Sequence, residues 1–105
     1  MTLLELEPQW TDAGGEGISH YGQPVPARHG IGVIFNCPCG VCGTLCYVPF
    51  ANPLDGSRPD GHRAVWQRTG ETFETLTLTP SILRSTEQGG CGWHGFVTNG
   101  QIVHA

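Results

Sequence analysis

The chain contains no lysine, and its 105 residues carry only five arginines. Arg28, Arg58, Arg63, Arg68 and Arg84 are scattered along the chain. That excludes the clustered basic stripe by which proteins grip nucleic acid. Charged residues make up 13% of the chain, about half of the roughly 25% usual in soluble domains. The net charge of −4 disfavours anionic membrane surfaces. The nine carboxylates are too few and too dispersed to mimic DNA. No apolar run approaches the roughly 20 residues of a membrane helix. Met1-Thr-Leu-Leu-Glu-Leu-Glu7 has no basic segment and no cleavage site, so no signal peptide is expected. Neither nucleic acid nor a membrane is therefore an expected partner.

What the chain has instead is punctuation. Sixteen glycines and eight prolines break any long helical period and favour short strands and turns. The expected fold is mainly β: a small single-domain β-sandwich, or a zinc-ribbon or Rieske-like fold, with metal ligands on two loops. Residues 1–30, interrupted by Pro8, Gly14, Gly15, Gly17, Gly22, Pro24 and Pro26, read as an irregular arm pinned by Trp10. Residues 31–105 read as the metal-binding β domain. Ile31–Phe35 is β-branched and aromatic, and predicts a buried strand. Thr44–Val48 alternates and predicts its return strand. Residues 52–62 predict a loop. Ala64–Arg68 and Thr72–Leu78 predict two strands about Thr69-Gly70. Pro80–Arg84 predicts one helical turn, with Thr79 as its cap. Asn99-Gly100, between two short apolar runs, predicts a type I′ hairpin.

Five cysteines stand at 37, 39, 42, 46 and 91. An odd count without a signal peptide argues against a disulfide framework. The spacing points to metal. Cys39-Gly-Val-Cys42-Gly43 is C-x2-C-G, and Cys91-Gly-Trp-His94-Gly95 is C-x2-H-G. Two intervening residues let both side chains reach one ion from a tight turn. The following glycine permits the left-handed backbone that such a turn needs. Two such turns supply four ligands, the tetrahedral structural zinc arrangement. The candidate ligands are Cys37, Cys39, Cys42, Cys91 and His94. Cys37-Pro-Cys39 makes three cysteines compete for two places, and which two bind stays open. Cys46, inside a predicted strand, reads as a small buried apolar residue. His20, His29 and His104 read as surface residues, His62 as a loop residue whose one functional reading is approach to a substrate, Trp66 as core, and Trp93 as a cover over the metal.

Read with Cys37 and Cys39 as the first pair, C-x-C … C-x2-H-G is similar in part to the Rieske motif. The first Rieske loop carries C-x-H, and Cys39 stands where that His belongs. Such a resemblance implies a [2Fe–2S] cluster as the alternative to zinc. Cys-Pro-Cys-Gly, Thr-Leu-Thr-Pro-Ser-Ile and Cys-Gly-Trp-His-Gly-Phe, in that order over residues 31–104, also resemble a group of small uncharacterised phage and prophage proteins. Some of that group are labelled "ammonia monooxygenase". The resemblance implies a phage accessory protein with a metal-binding β-fold, working in the host cell cytoplasm, and implies no reaction.

Three functions compete at this level. The first is a zinc-stabilised module acting through a protein partner, with Trp93 and Phe96 as candidate anchors. The second is a [2Fe–2S] redox module. The third is a zinc-dependent hydrolase, with Glu71, Glu74 or Glu87 as base. No nucleophile–base pair is legible in the spacing. Ser81 and Thr79 read as structural, or as hydroxyls donating to the metal thiolates. The sequence therefore favours the binding module over an enzyme.

Overall fold

The computed structural model describes residues 1–11, 25–26, 30–52, 54, 56, 65–88 and 90–105. Among these residues seven strands form two antiparallel sheets. The first sheet is β1 (Gln9–Thr11), β2 (Gly32–Asn36) and β3 (Leu45–Pro49), in that order. The second is β4 (Gln67–Thr69), β5 (Thr77–Leu83), β6 (His94–Thr98) and β7 (Gln101–His104). The mainly β, single-domain expectation holds.

Period-two burial places one core between the sheets. Val33, Phe35, Cys46 and Val48 enter from the first sheet, and Leu78, Ile82, Val97 and Ile102 from the second. Phe50 and Leu76 are fully enclosed. Arg68 is also buried, with its guanidinium 4.1 Å from the Trp10 ring and 5.2 Å from Phe50. Trp10 in turn stacks on Phe73 at 4.4 Å.

Three segments depart from the sequence reading. Residues 1–11 are ordered structure, not an irregular arm. Leu3–Leu6 forms a 3-10 turn, Gln9–Thr11 joins β2, and Leu3 and Trp10 are buried. The apolar residues Leu3, Leu6 and Trp10 outweigh the local turn signals. The remainder of the expected arm, 12–24 and 27–29, lies outside the described residues, as does most of the expected 52–62 loop. The strand expected over Thr72–Leu78 begins only at Thr77, because Thr72 and Thr75 close a tight turn: the Thr75 N–H donates to Thr72 O at 3.2 Å. Pro80–Arg84 is not helical. Thr77–Leu83 is one strand, and tertiary pairing with β6 overrides the cap-and-proline signal.

The hairpin at Asn99-Gly100 forms as expected. Asn99 has φ 48° and Gly100 φ 74°, the two positive angles that a type I′ turn requires.

β5 carries an irregularity that matters below. Leu78 pairs with Val97 and Ile82 with Gly95. Thr79, Pro80 and Ser81 thus oppose Phe96 alone. Proline is tolerated at such a bulge because no ladder N–H is needed there. Bulges re-aim side chains, and this one presents Ser81.

Candidate functional site

The β2–β3 connection holds three cysteines. The Cys37 N–H donates to Thr44 O at 3.0 Å, closing the loop, and Gly40 N–H donates to Cys37 O at 3.2 Å. Gly43, directly after Cys42, has φ 66°, as the C-x2-C-G spacing predicts. Cys91 comes from the segment leading into β6. It is registered by a backbone pair on the end of β5: Arg84 N–H to Trp93 O at 2.8 Å, and Gly92 N–H to Arg84 O at 2.7 Å.

These connections bring Cys37, Cys39, Cys42 and Cys91 together, with all four sulfurs within 4.8 Å of one another. Cys37 and Cys91 sulfurs are 3.4 Å apart. A tetrahedral ion with metal–sulfur bonds near 2.3 Å needs sulfur–sulfur edges of about 3.8 Å. Four thiol ligands at this spacing fit zinc in a closed site. A Rieske centre needs two histidines on one iron, and among the described residues this cluster contains none.

The surroundings prepare thiolates. Backbone N–H groups of Val41 and Cys42 point at the Cys39 sulfur, at 3.5 and 3.4 Å, and lower its pKa. The Thr44 hydroxyl, 3.1 Å from the Cys42 sulfur, is the main cause that brings Cys42 down to about 6. Burial pushes Cys37 up to about 12, so an ion must displace its proton. The Arg84 guanidinium donates to Thr44 Oγ1 at 3.0 Å and approaches the Cys42 sulfur at 3.8 Å. Partial burial works against its charge, but the neighbouring cysteine sulfurs outweigh that and raise its pKa. Cys46 stands apart from the cluster as a buried core residue, pushed up to about 11 by its burial.

His94, expected beside Cys91 as a ligand, lies outside this group. It is the first residue of β6, cross-strand from Leu83, and is exposed. Its Nε2 lies 3.0 Å from Ser81 Oγ. Strand geometry explains the change: Cys91 precedes the strand, whereas alternation from buried Trp93 and Gly95 turns His94 to the outer face. Gly95 is not left-handed as the motif suggests; it is needed for space, since a Cβ there would meet Val103 O at 2.5 Å. The His94 backbone is held on its other side by the Ala105 N–H, at 3.0 Å. Trp93 faces inward and donates to His104 Nδ1 at 2.9 Å.

Ser81 was not legible as a nucleophile. The bulge puts its hydroxyl beside the imidazole, on the same outer face as Leu83 and Phe96. Trp66 fixes the backbone beneath, its Nε1 shared between Pro80 O at 3.1 Å and Ser81 O at 3.2 Å. A serine hydroxyl on a histidine nitrogen is the nucleophile–base unit of covalent hydrolysis. Thr79 and Ser81 were also weighed as donors to the thiolates; the Ser81 hydroxyl is on His94 instead. His20, His29 and His62 lie outside the described residues.

The chain matches the model of a family described as the bacterial ubiquitination-like system serine protease, BubE, over residues 16–105. The chain belongs to the BubE family. The match takes in both the cysteine cluster and the Ser81–His94 pair. No curated protein and no solved structure matches the chain. Among the described residues, no helix is long and apolar enough to cross a membrane.

Proposed function

We propose that this BubE-family chain is a serine hydrolase acting on polypeptide in a bacterial ubiquitination-like system, with zinc as a structural ion. The observation that carries the reading is the 3.0 Å contact between Ser81 Oγ and His94 Nε2. The family description names a serine protease, which agrees with a hydroxyl nucleophile. A non-enzymatic binding module rests on the lack of a nucleophile–base pair in the spacing; the Ser81–His94 contact supports the hydrolase instead.

The chemistry follows from the geometry. With its ring proton on Nδ1, His94 accepts the Ser81 hydroxyl proton at Nε2 as Oγ attacks a carbonyl carbon. The proton then passes from Nε2 to the leaving group as the carbonyl–leaving-group bond breaks. This leaves an acyl ester on Ser81. Water gives a proton to Nε2 as its oxygen attacks the ester carbonyl; the Oγ–acyl bond then breaks, the proton returns from Nε2 to Oγ, and the carboxylic acid leaves. Trp66 holds the nucleophile's backbone through its bonds to Pro80 O and Ser81 O.

Cys37, Cys39, Cys42 and Cys91 would together hold zinc as a structural ion. It would supply cross-linking of two loops, one of which runs into β6 and His94. Thiolate ligands and unbridged cysteines suit a reducing compartment, which supports a cytoplasmic setting.

Burst kinetics test the reading. A p-nitrophenyl ester should release about one equivalent of p-nitrophenol rapidly, as the acyl-enzyme forms. The burst should vanish in Ser81→Ala while zinc content stays unchanged. A burst that persists in Ser81→Ala would place the chemistry elsewhere.

A further inference from the structure

Between the two sheets, beside the nucleophile strand, lies a cleft of about 330 Å³. Leu45, Cys46 and Tyr47 of β3 line one wall, and Ile82 to Ser85, with Trp66, line the other. Both walls are strand edges. β3 is the terminal strand of its sheet. β5 has β4 as its neighbour only from Thr77 to Thr79. Beyond that point Trp66 turns to the other sheet: its N–H donates to Pro49 O at 2.9 Å, and its carbonyl accepts from Ala51 N–H at 3.3 Å. Among the described residues no strand covers β5 on this side past Thr79.

The backbone groups facing the cleft can be assigned. Arg84 directs its N–H to Trp93 O and its carbonyl to Gly92 N–H, both toward β6. Backbone groups alternate in direction along a strand, so the N–H and carbonyl of Leu83 face the cleft. The Ser81 carbonyl points the same way and is capped by Trp66 Nε1. Among the described residues Leu83 is therefore the first pairing position that no strand occupies, two residues or about 7 Å of strand rise from the nucleophile. Leu45 and Leu83, 56% and 57% exposed, both line the cleft. Natural proteins block exposed strand edges; among the described residues no strand covers β5 at Leu83, beside Ser81.

We propose that a substrate polypeptide binds as an added strand in this cleft, pairing with Leu83 and seating an aliphatic side chain among Leu45, Tyr47, Trp66 and Leu83. The proposal rests on the Ser81–His94 reading and names the substrate class of that site. Main-chain bonds to a strand edge supply affinity, and a pocket for an alternate side chain supplies selectivity. Only an extended segment meets a strand edge in this way, so the substrate offers an unstructured tail or linker. The segment leaves the cleft at Ser81, where its scissile carbonyl meets Oγ.

The test uses full-length, zinc-loaded Ser81→Ala protein and a displayed library of random dodecapeptides. Selected peptides should share one aliphatic position and should protect the Leu83 amide from hydrogen exchange. N-methylation of their alternate amides should weaken binding at least about tenfold, as should the cleft-filling change Leu45→Trp, which leaves zinc content unchanged. In parallel, a small fluorophosphonate reads the Ser81–His94 pair in the wild type without needing the cleft. Labelled Ser81 with no selected peptide, or with peptides that protect other amides and ignore Leu45→Trp, overturns the cleft proposal alone. Peptides seated at Leu83 with Ser81 unlabelled uphold the cleft and overturn the hydrolase reading.

Discussion

Ser81 and His94 sit on neighbouring strands, thirteen residues apart in sequence, with hydroxyl and imidazole in hydrogen-bond contact at 3.0 Å. The pair exists because the β5 bulge sets Thr79–Ser81 against Phe96 and carries Ser81 diagonally toward His94. If it is the reacting unit, Ser81→Ala and His94→Gln each reduce hydrolysis by about 10⁴-fold or more, the scale on which removing such groups acts. Both positions lie on the outer face, so melting temperatures should stay within a few degrees of wild type. Steady-state kinetics and thermal melts on the same samples check this.

Metal removal should act on the fold. One zinc per chain is expected, and structural zinc contributes on the order of 10 kcal/mol of folding free energy. Cys39→Ser, Cys91→Ser or a strong chelator should abolish cooperative melting. Cys46→Ala is the control: its sulfur is buried away from the cluster, so zinc stays bound and stability falls by about 1 kcal/mol. Elemental analysis and calorimetric melting separate the two outcomes. His94→Ala should also keep its zinc.

Zinc uptake should release protons, and its affinity should weaken as pH falls. Cys37, pushed up to about 12 by burial, is a thiol at neutral pH and must deprotonate on binding. Cys42, lowered to about 6 by the Thr44 hydroxyl, is largely thiolate by pH 7.5 and releases little there. Below pH 6 it too becomes a competing thiol. Titration calorimetry in buffers of different ionisation enthalpy counts the protons; Thr44→Val should raise that count at pH 7.5 by restoring the Cys42 proton.

How much of this was legible follows from which signals are local. The C-x2-C-G turn and the Asn-Gly hairpin are set by backbone angles within a few residues, and both stand where the spacing placed them. The grouping of Cys91 with the first loop was legible as well. The placement of His94 was not. Its C-x2-H spacing fits a metal turn, and only the start of β6 at His94 decides that the side chain emerges on the far face. Ser81 was hidden for a related reason. Thr79-Pro80-Ser81 carries a helix-start signature, and only pairing with β6 makes it a bulge that presents a hydroxyl. Nor could the sequence show that β4 stops pairing at Thr79, since that depends on Trp66 bonding to Pro49 in the other sheet.

The buried cation gives a stability prediction independent of the site. Arg68 packs its guanidinium on Trp10 and Phe50 and donates from Nε to Gly70 O at 3.1 Å. Arg68→Ala removes that packing and leaves a void, at a cost of about 2–4 kcal/mol. Arg68→Lys should recover little, because an ammonium cannot stack as a planar guanidinium does. Chemical denaturation measures both.

Trp66 should matter to turnover more than to binding. Trp66→Phe keeps an aromatic ring in the cleft but removes the N–H that holds Pro80 O and Ser81 O. A fall in kcat of about tenfold with KM nearly unchanged is expected, since a small displacement of the nucleophile suffices. Equal changes in kcat and KM would mean that Trp66 acts only as a cleft wall.

The central claim is that Ser81 is a nucleophile activated by His94. Its most direct test is reaction of the zinc-loaded protein with a fluorophosphonate, read by intact mass and peptide mapping. The account predicts one adduct per chain, on Ser81, lost in Ser81→Ala and slowed at least about a hundredfold in His94→Gln. An unmodified Ser81 in folded, zinc-loaded protein, or an adduct formed equally fast without His94, would contradict it.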